Sequence, residues 1–387
     1  MNKQLSKTNN DKIKEKAAKI IQTKMKQYLL PHINRVTANI NDRINYYKNI
    51  IKYLKFDKNR KNYCVRFYKF DKNKKPIFRI GNNIILKEQI GSPSTRGAIF
   101  LSSFRDIDKK LFKYVVKISP TSFKTPIEIK IIKILSNAVI KKLCPHFPIS
   151  YGYASCKKDD LEKSSFIKSK ESNYSNQIIP QFFLNNKNYY IYLNELASGD
   201  LKNFDLTNIS LNQNKRFLDN KIAQLYLCLI FFYKETGCYH GDAQNRNFLY
   251  HKIKAGGYYH YNIFNQNYYL PNLGYLWVIW DYEHARSLTD TYNNFKYLLK
   301  MGSDFTNINR FIMNDYNIDD VSKIKNDLFT PSSTSLYDKV YDKKSFHKFI
   351  QSILDCLCEL GYIFKKINKS NVIINSKPFI IKEISPM

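Results

Sequence analysis

Acidic residues are scarce in this 387-residue chain: 32 Asp and Glu stand against 63 Lys and Arg, a formal net charge of +31. A surface so short of negative charge attracts polyanions such as nucleic acid, an anionic membrane or an acidic protein. Lys, Asn, Ile and Tyr are enriched together, however, as an A/T-rich genome would impose, so charge alone assigns no partner. Long apolar runs are also missing. The most apolar one, Ile222 to Tyr233, lies between Lys221 and Lys234, is too short to span a bilayer and reads as a buried helix. No membrane span is expected, and residues 1–16 hold no apolar core of signal-peptide type. The 7 cysteines form no paired C-x2-C arrangement, which argues against a zinc module; a reduced, intracellular chain is expected. No RNA-recognition, zinc-finger or helix-turn-helix signature accompanies the basic charge, so a nucleic-acid-binding reading rests on charge only. What remains is a globular composition, 43% apolar and 15% aromatic, long enough to bury a sizeable core.

Residues 11–30 repeat apolar positions at helical spacing until Pro31 interrupts them. A second helical pattern follows through Ile33, Val36, Ile40, Ile44, Tyr47, Ile51 and Leu54. Few acidic residues fall here, so the exposed faces read as positive, a basic helical hairpin packed on the main body with an affinity for anionic partners. Within it, "IIQTKMKQ" partly matches an IQ motif, which would bring a calmodulin-type partner, but the motif's glycine and last basic residue are absent. From residue 62 to 193, short β-branched and aromatic runs ("YCVRFYKF", "IFRIGNNIILKEQI", "GAIFLSSF", "KYVVKISP", "HFPISYGYASC", "YYIYLNELA") predict an antiparallel sheet. A helix over 126–139, opened by Pro126, interrupts it, and the polar stretch 157–177 reads as an exposed insertion. After Asp200 the pattern becomes mainly helical, ending in a helix over 345–360 that Gly361 stops. Sheet first and helices second make an α+β arrangement in two lobes.

Polar residues cluster at the ends of apolar elements. The buried helix runs into Gly237, and "HGDAQNRN" then carries His240, Asp242 and Asn247. The apolar strand Leu276 to Trp280 ends in Asp281; Lys117 closes "YVVK"; Glu128 sits in the helix that follows. Taken singly, an Asp-x4-Asn loop reads as a turn with side-chain hydrogen bonds, and a strand lysine in a Lys-rich chain as solvated edge charge.

Together, in this order, these stretches resemble the protein-kinase fold over residues 75–360, and specifically the divergent kinase-like proteins of large DNA viruses. "HGDAQNRN" stands where kinases carry H-R-D-x-x-x-x-N, "YVVK" where they carry V-A-I-K, and "WDYE" where they carry D-F-G. After the basic helical extension, taken as residues 1–60, the resemblance implies a small antiparallel-sheet N-lobe over 61–195 and a helical C-lobe over 196–387. It implies a serine/threonine protein kinase using ATP and Mg2+, acting on a protein substrate in a host cytoplasm or carried in a virion. Asp242 would be the catalytic base; Asn247 and Asp281 would hold the metal; Lys117, paired with Glu128, would hold the α and β phosphates. Gly91 and Gly97 would supply the phosphate-covering loop, and His240 would pack and hydrogen-bond the catalytic loop.

Several positions depart from the family pattern. Gly241 replaces the arginine that contacts a phosphorylated activation loop, Gln244 replaces the lysine two residues after the aspartate, and Glu283 replaces the glycine of D-F-G. No A-P-E follows Asp281. "HGD" with "DYE" is also similar to aminoglycoside and choline kinases, so a small-molecule hydroxyl kinase is the nearest alternative, and a binding-only pseudokinase the next. The insertion over 252–275, with aromatics alternating around Asn-containing turns, predicts a β-hairpin.

Overall fold

The computed structural model of the chain describes residues 40–54, 64–70, 72, 76–81, 84–94, 97–105, 111–120, 125–157, 188–204, 211–288, 304–305, 307–308 and 343–384. The predicted helix over 11–30, its IQ-like stretch and the polar insertion from 158 onward lie outside them.

Seven strands form one antiparallel sheet: β1 (Val65–Phe70), β2 (Pro76–Ile80), β3 (Ile84–Ser94), β4 (Gly97–Arg105), β5 (Leu111–Pro120), β6 (Ser150–Lys157) and β7 (Asn188–Glu195), in the order β1-β2-β3-β4-β5-β7-β6. Every predicted run in this part is a strand, and "IFRIGNNIILKEQI" is two, divided at Gly81 where φ is +55°. The sheet curls back on itself. Cys64, just before β1, is disulfide-bonded to Cys156 in β6, and the Val65 amide donates to Tyr189 Oη at 3.2 Å. These cysteines were expected reduced; with edge strands at opposite ends of the order brought together, they are paired instead. Cys144, Cys228, Cys238, Cys356 and Cys358 are free thiols.

Helix α1 (Ile40–Leu54) packs on this layer through Ile44, Ile50 and Leu54, and buries Arg43 among them. Helix α2 (Thr125–Ile140) follows β5, with Pro126 and Glu128 in its first turn, where a missing N–H costs nothing and negative charge suits the helix dipole. Its apolar face, with Ile131, Leu135 and Val139, is buried, and it packs against α3 (Leu211–Thr236). Helix α3 contains the predicted buried run: Ile222 to Tyr233 is buried at every position. Helix α4 (Lys343–Glu359) ends before Gly361, whose φ is +75°.

The chain after Asp200 is less helical than its pattern predicts. Two short sheets stand beside α3 and α4 among the described residues. One joins β8 (Gly199–Asp200), β10 (Phe248–Lys252) and β13 (Tyr275–Ile279); the other joins β11 (Tyr258–Ile263), β12 (Gln266–Pro271) and β15 (Phe379–Ile381). A further pair is β9 (Cys238–Tyr239) with β14 (Arg286–Ser287). The predicted hairpin is β11–β12, turning at Phe264 and Asn265, both at positive φ as a tight two-residue hairpin turn requires. The whole is an α+β structure with antiparallel sheets.

Candidate active site

Lys117 lies inside β5, which is bonded on both sides: it faces Ile99 of β4 and Tyr192 of β7. It is therefore no edge lysine. Its ammonium reaches Glu128 Oε1 at 3.2 Å and Asp281 Oδ1 at 2.7 Å, with the Trp280 ring 5.4 Å away. Only 14% of the lysine side chain and 7% of the glutamate are exposed, against 32% of Asp281. Tyr192 Oη donates to the other glutamate oxygen at 3.4 Å. Burial opposes the charge on Lys117, but Asp281 and then Glu128 outweigh it and hold its pKa above the usual lysine range. Burial likewise opposes the charge on Asp281; Lys117 reverses the balance and holds that carboxyl below its ordinary value. Asp281 has left-handed backbone (φ +68°, ψ 74°), a conformation costing a non-glycine residue about 1–3 kcal/mol and concentrated at functional sites.

The second group comes from the turn after α3. Gly237 (φ +61°) ends the helix, β9 follows, and His240, Gly241 and Asp242 lead into a short turn, Asn245–Asn247. Asp242 Oδ2 accepts from Gln244 Nε2 and from Asn247 Nδ2, each at 3.0 Å, and Asn247 Nδ2 also reaches the Asp242 carbonyl at 2.8 Å. Both amides bind the same carboxylate oxygen. Oδ1 thus carries no hydrogen bond among the described residues. His240 ties the two groups together: its Nδ1 accepts from the Asp242 amide at 3.3 Å, so its Nε2–H donates to the Trp280 carbonyl at 3.1 Å, one residue before Asp281. Burial lowers the His240 pKa to about 4, which keeps that neutral tautomer. The Trp280 amide donates to the Asn247 carbonyl at 3.0 Å, completing the link.

Gly241 has a steric reason to be glycine. Its φ is +77°, and a Cβ would lie 2.6 Å from the His284 carbonyl oxygen, where the chain returns towards β14. Asp304 holds the same loop from below. Fully buried, it accepts from the amides of His240 (2.9 Å), Gly241 (3.0 Å) and Ala243 (3.4 Å) and from Tyr233 Oη (3.1 Å). Burial pushes its pKa up to about 7 against the pull of these donors. Sequence reasoning missed this residue: "GSDF" carries no spacing that marks it, and its partners are mostly backbone amides.

Lys117, Glu128, Pro148, Asn194, Trp280 and Asp281 line a partly open cleft. Gly97 is not among the described residues that line it. Gly97 (φ +147°) begins β4 against β5, where a Cβ would collide with the Ile118 carbonyl; Gly91 falls in β3 at a bulge in its pairing with β4. The residues present suit a divalent cation bound with phosphate: the Asp281 carboxylate is partly open, and the Asn247 side-chain carbonyl has no protein partner among the described residues. One carboxylate and one amide oxygen, completed by phosphate and water, is the mode Mg2+ favours. A scan against models of known protein families finds none that matches the chain, and a search of curated proteins finds no relative.

Proposed function

We propose that this chain is a phosphotransferase of the protein-kinase-like type, using ATP and Mg2+ and acting on serine or threonine hydroxyls of a protein. One observation carries the reading: an ammonium drawn from a central strand is held between a helix glutamate and a strand-end aspartate 164 residues away. Kinases need that strand lysine, helix glutamate and aspartate assembled together for transfer. The arrangement of the curled sheet with α2 on one side of the cleft, and α3 with its loop on the other, supports a two-lobed reading. In it, Lys117 binds the α and β phosphates, Glu128 aims Lys117, and Asp242 accepts the acceptor's proton at Oδ1. Gln244 and Asn247 orient that carboxylate by occupying Oδ2. Asn247 and Asp281 would hold Mg2+, which supplies charge neutralisation at the transferred phosphoryl group.

A binding-only reading is favoured by the 2.7 Å contact of Lys117 with Asp281, in which the two charges satisfy each other. Labelled ATP offered with a basic protein, an acidic protein and a panel of small alcohols separates the readings. The expected result is Mg2+-dependent label on protein serine or threonine, abolished by Asp242→Asn. Label on small alcohols alone would move the chain to the small-molecule kinases. ATP binding with no transfer to any acceptor would make it a pseudokinase.

A further inference from the structure

Arg43 is a fully engaged, buried side chain outside the cleft. It is 1% exposed, and its guanidinium donates in three directions. Nε and Nη2 bind Glu195 Oε1 and Oε2 at 2.9 and 2.8 Å; Nη1 binds the Pro145 carbonyl at 2.6 Å; Nη2 also binds the Phe147 carbonyl at 2.5 Å. Glu195 Oε2 accepts the Ile149 amide at 3.0 Å as well. One side chain from α1 therefore joins the end of β7 to the segment that follows α2. The consequence lies one residue further on. Pro148 follows Phe147, Asn194 precedes Glu195, and both line the cleft beside Lys117 and Asp281.

We infer that Arg43 is a positioning residue for the nucleotide cleft, fixing Pro148 and Asn194 from behind, so that α1 belongs to the frame of the site. The inference rests on the nucleotide reading of the cleft given above. Helix α1 lies outside the stretch that resembles kinases, and basic residues there read from sequence as exposed charge; Arg43 is the exception. Stability alone is a poor reason for such a pair. Buried ion pairs are often no more stabilising than apolar residues of like volume. What the planar fork provides is direction: a bidentate carboxylate contact together with two carbonyls, a geometry that lysine cannot reproduce.

The test compares Arg43→Lys and the apolar pair Arg43→Met with Glu195→Leu against the wild type, with Lys48→Ala on the exposed face of α1 as control. KM for ATP and kcat are measured well below each variant's unfolding temperature. Misplaced binding walls should raise KM for ATP about tenfold and leave kcat within about threefold, with Lys48→Ala unchanged. A purely structural role would lower the unfolding temperature and leave KM alone. Folded variants of wild-type KM would overturn the proposal; should the double variant not fold, Arg43→Lys decides by the same readout. A wild-type chain that binds no ATP would overturn the nucleotide reading and this proposal with it, whereas ATP binding of unchanged affinity in the variants overturns this proposal alone.

Discussion

Lys117 sits between two carboxylates, and each neighbour tests a different part of its role. The sequence pattern makes it a lysine whose loss costs little folding energy; its place inside a doubly bonded strand says otherwise. Lys117→Met leaves Glu128 and Asp281 without their shared cation, and a buried charged group such as Glu128 that loses its partner costs about 1–3 kcal/mol. Turnover should fall by at least about 100-fold, as when an electrostatic stabiliser is removed, and denaturation should also show a loss of stability. Asp281→Asn keeps the Lys117–Glu128 pair, so that variant should stay nearer wild-type stability, lose metal-dependent transfer and still bind nucleotide without metal. Near wild-type turnover in Asp281→Asn would remove its metal role. The residues legible in the sequence are those whose chemistry stands at the end of an apolar run: Lys117, Asp242, Asn247 and Asp281, with Glu128 in the next helix. Asp304 and Arg43 were not legible, because backbone groups of distant loops make up most of their partners, and such partners leave no spacing pattern.

Among the elements, strands of β-branched and aromatic residues were read correctly through β7, and so was the hairpin β11–β12, whose aromatic alternation gives a period of two. Short strands were the hidden ones. β8, β9 and β14 have two residues each, too few for any periodicity, and β15 adds to the hairpin in parallel, Phe379 pairing with Tyr261 far upstream. The tie between Cys64 and Cys156 was hidden for a similar reason: the cysteines are 92 residues apart and meet only because the sheet curls. A cross-link over a loop of that length restricts the unfolded chain, and breaking one commonly costs about 2–4 kcal/mol. Cys64→Ser with Cys156→Ser should lower the chemical denaturation midpoint accordingly. Wild type in strong reductant should unfold at the midpoint of the double variant. If reductant lowers the wild-type midpoint but the variant matches the oxidised wild type, the stabilising bridge lies elsewhere.

At the scale of the whole molecule, segments distant in sequence are joined by polar groups buried neutral, and this gives stability a definite dependence on pH. His146 bridges the Trp277 carbonyl (2.8 Å) and Tyr261 Oη (2.9 Å), His240 bridges the Asp242 loop to Trp280, and His251 lies 3.8 Å from Glu195. Burial lowers the pKa of all three from 6.5 to about 4. A depressed histidine contributes stability that is present above its unfolded value and lost as pH falls towards its folded one, because the unfolded chain takes up the proton first. These three therefore make stability rise with pH between about 4 and 6.5. Asp304 acts in the opposite sense: raised from 3.8 to about 7, it makes stability fall as pH climbs through the same range. Three groups outweigh one up to pH 6.5; beyond that point Asp304 acts alone, so its contribution places the maximum near pH 6.5. Asp304→Asn removes the opposing slope. Although it should lower stability overall by presenting an amide N–H to backbone donors, its dependence on pH between 4 and 6.5 should be steeper than the wild type's, without the decline towards 7. Denaturation midpoints at pH 4.5, 5.5, 6.5 and 7.5 for both proteins test this. Parallel wild-type and variant curves would mean that Asp304 does not titrate in that range, and that the loop of His240, Gly241 and Ala243 is anchored by an ionised carboxylate throughout.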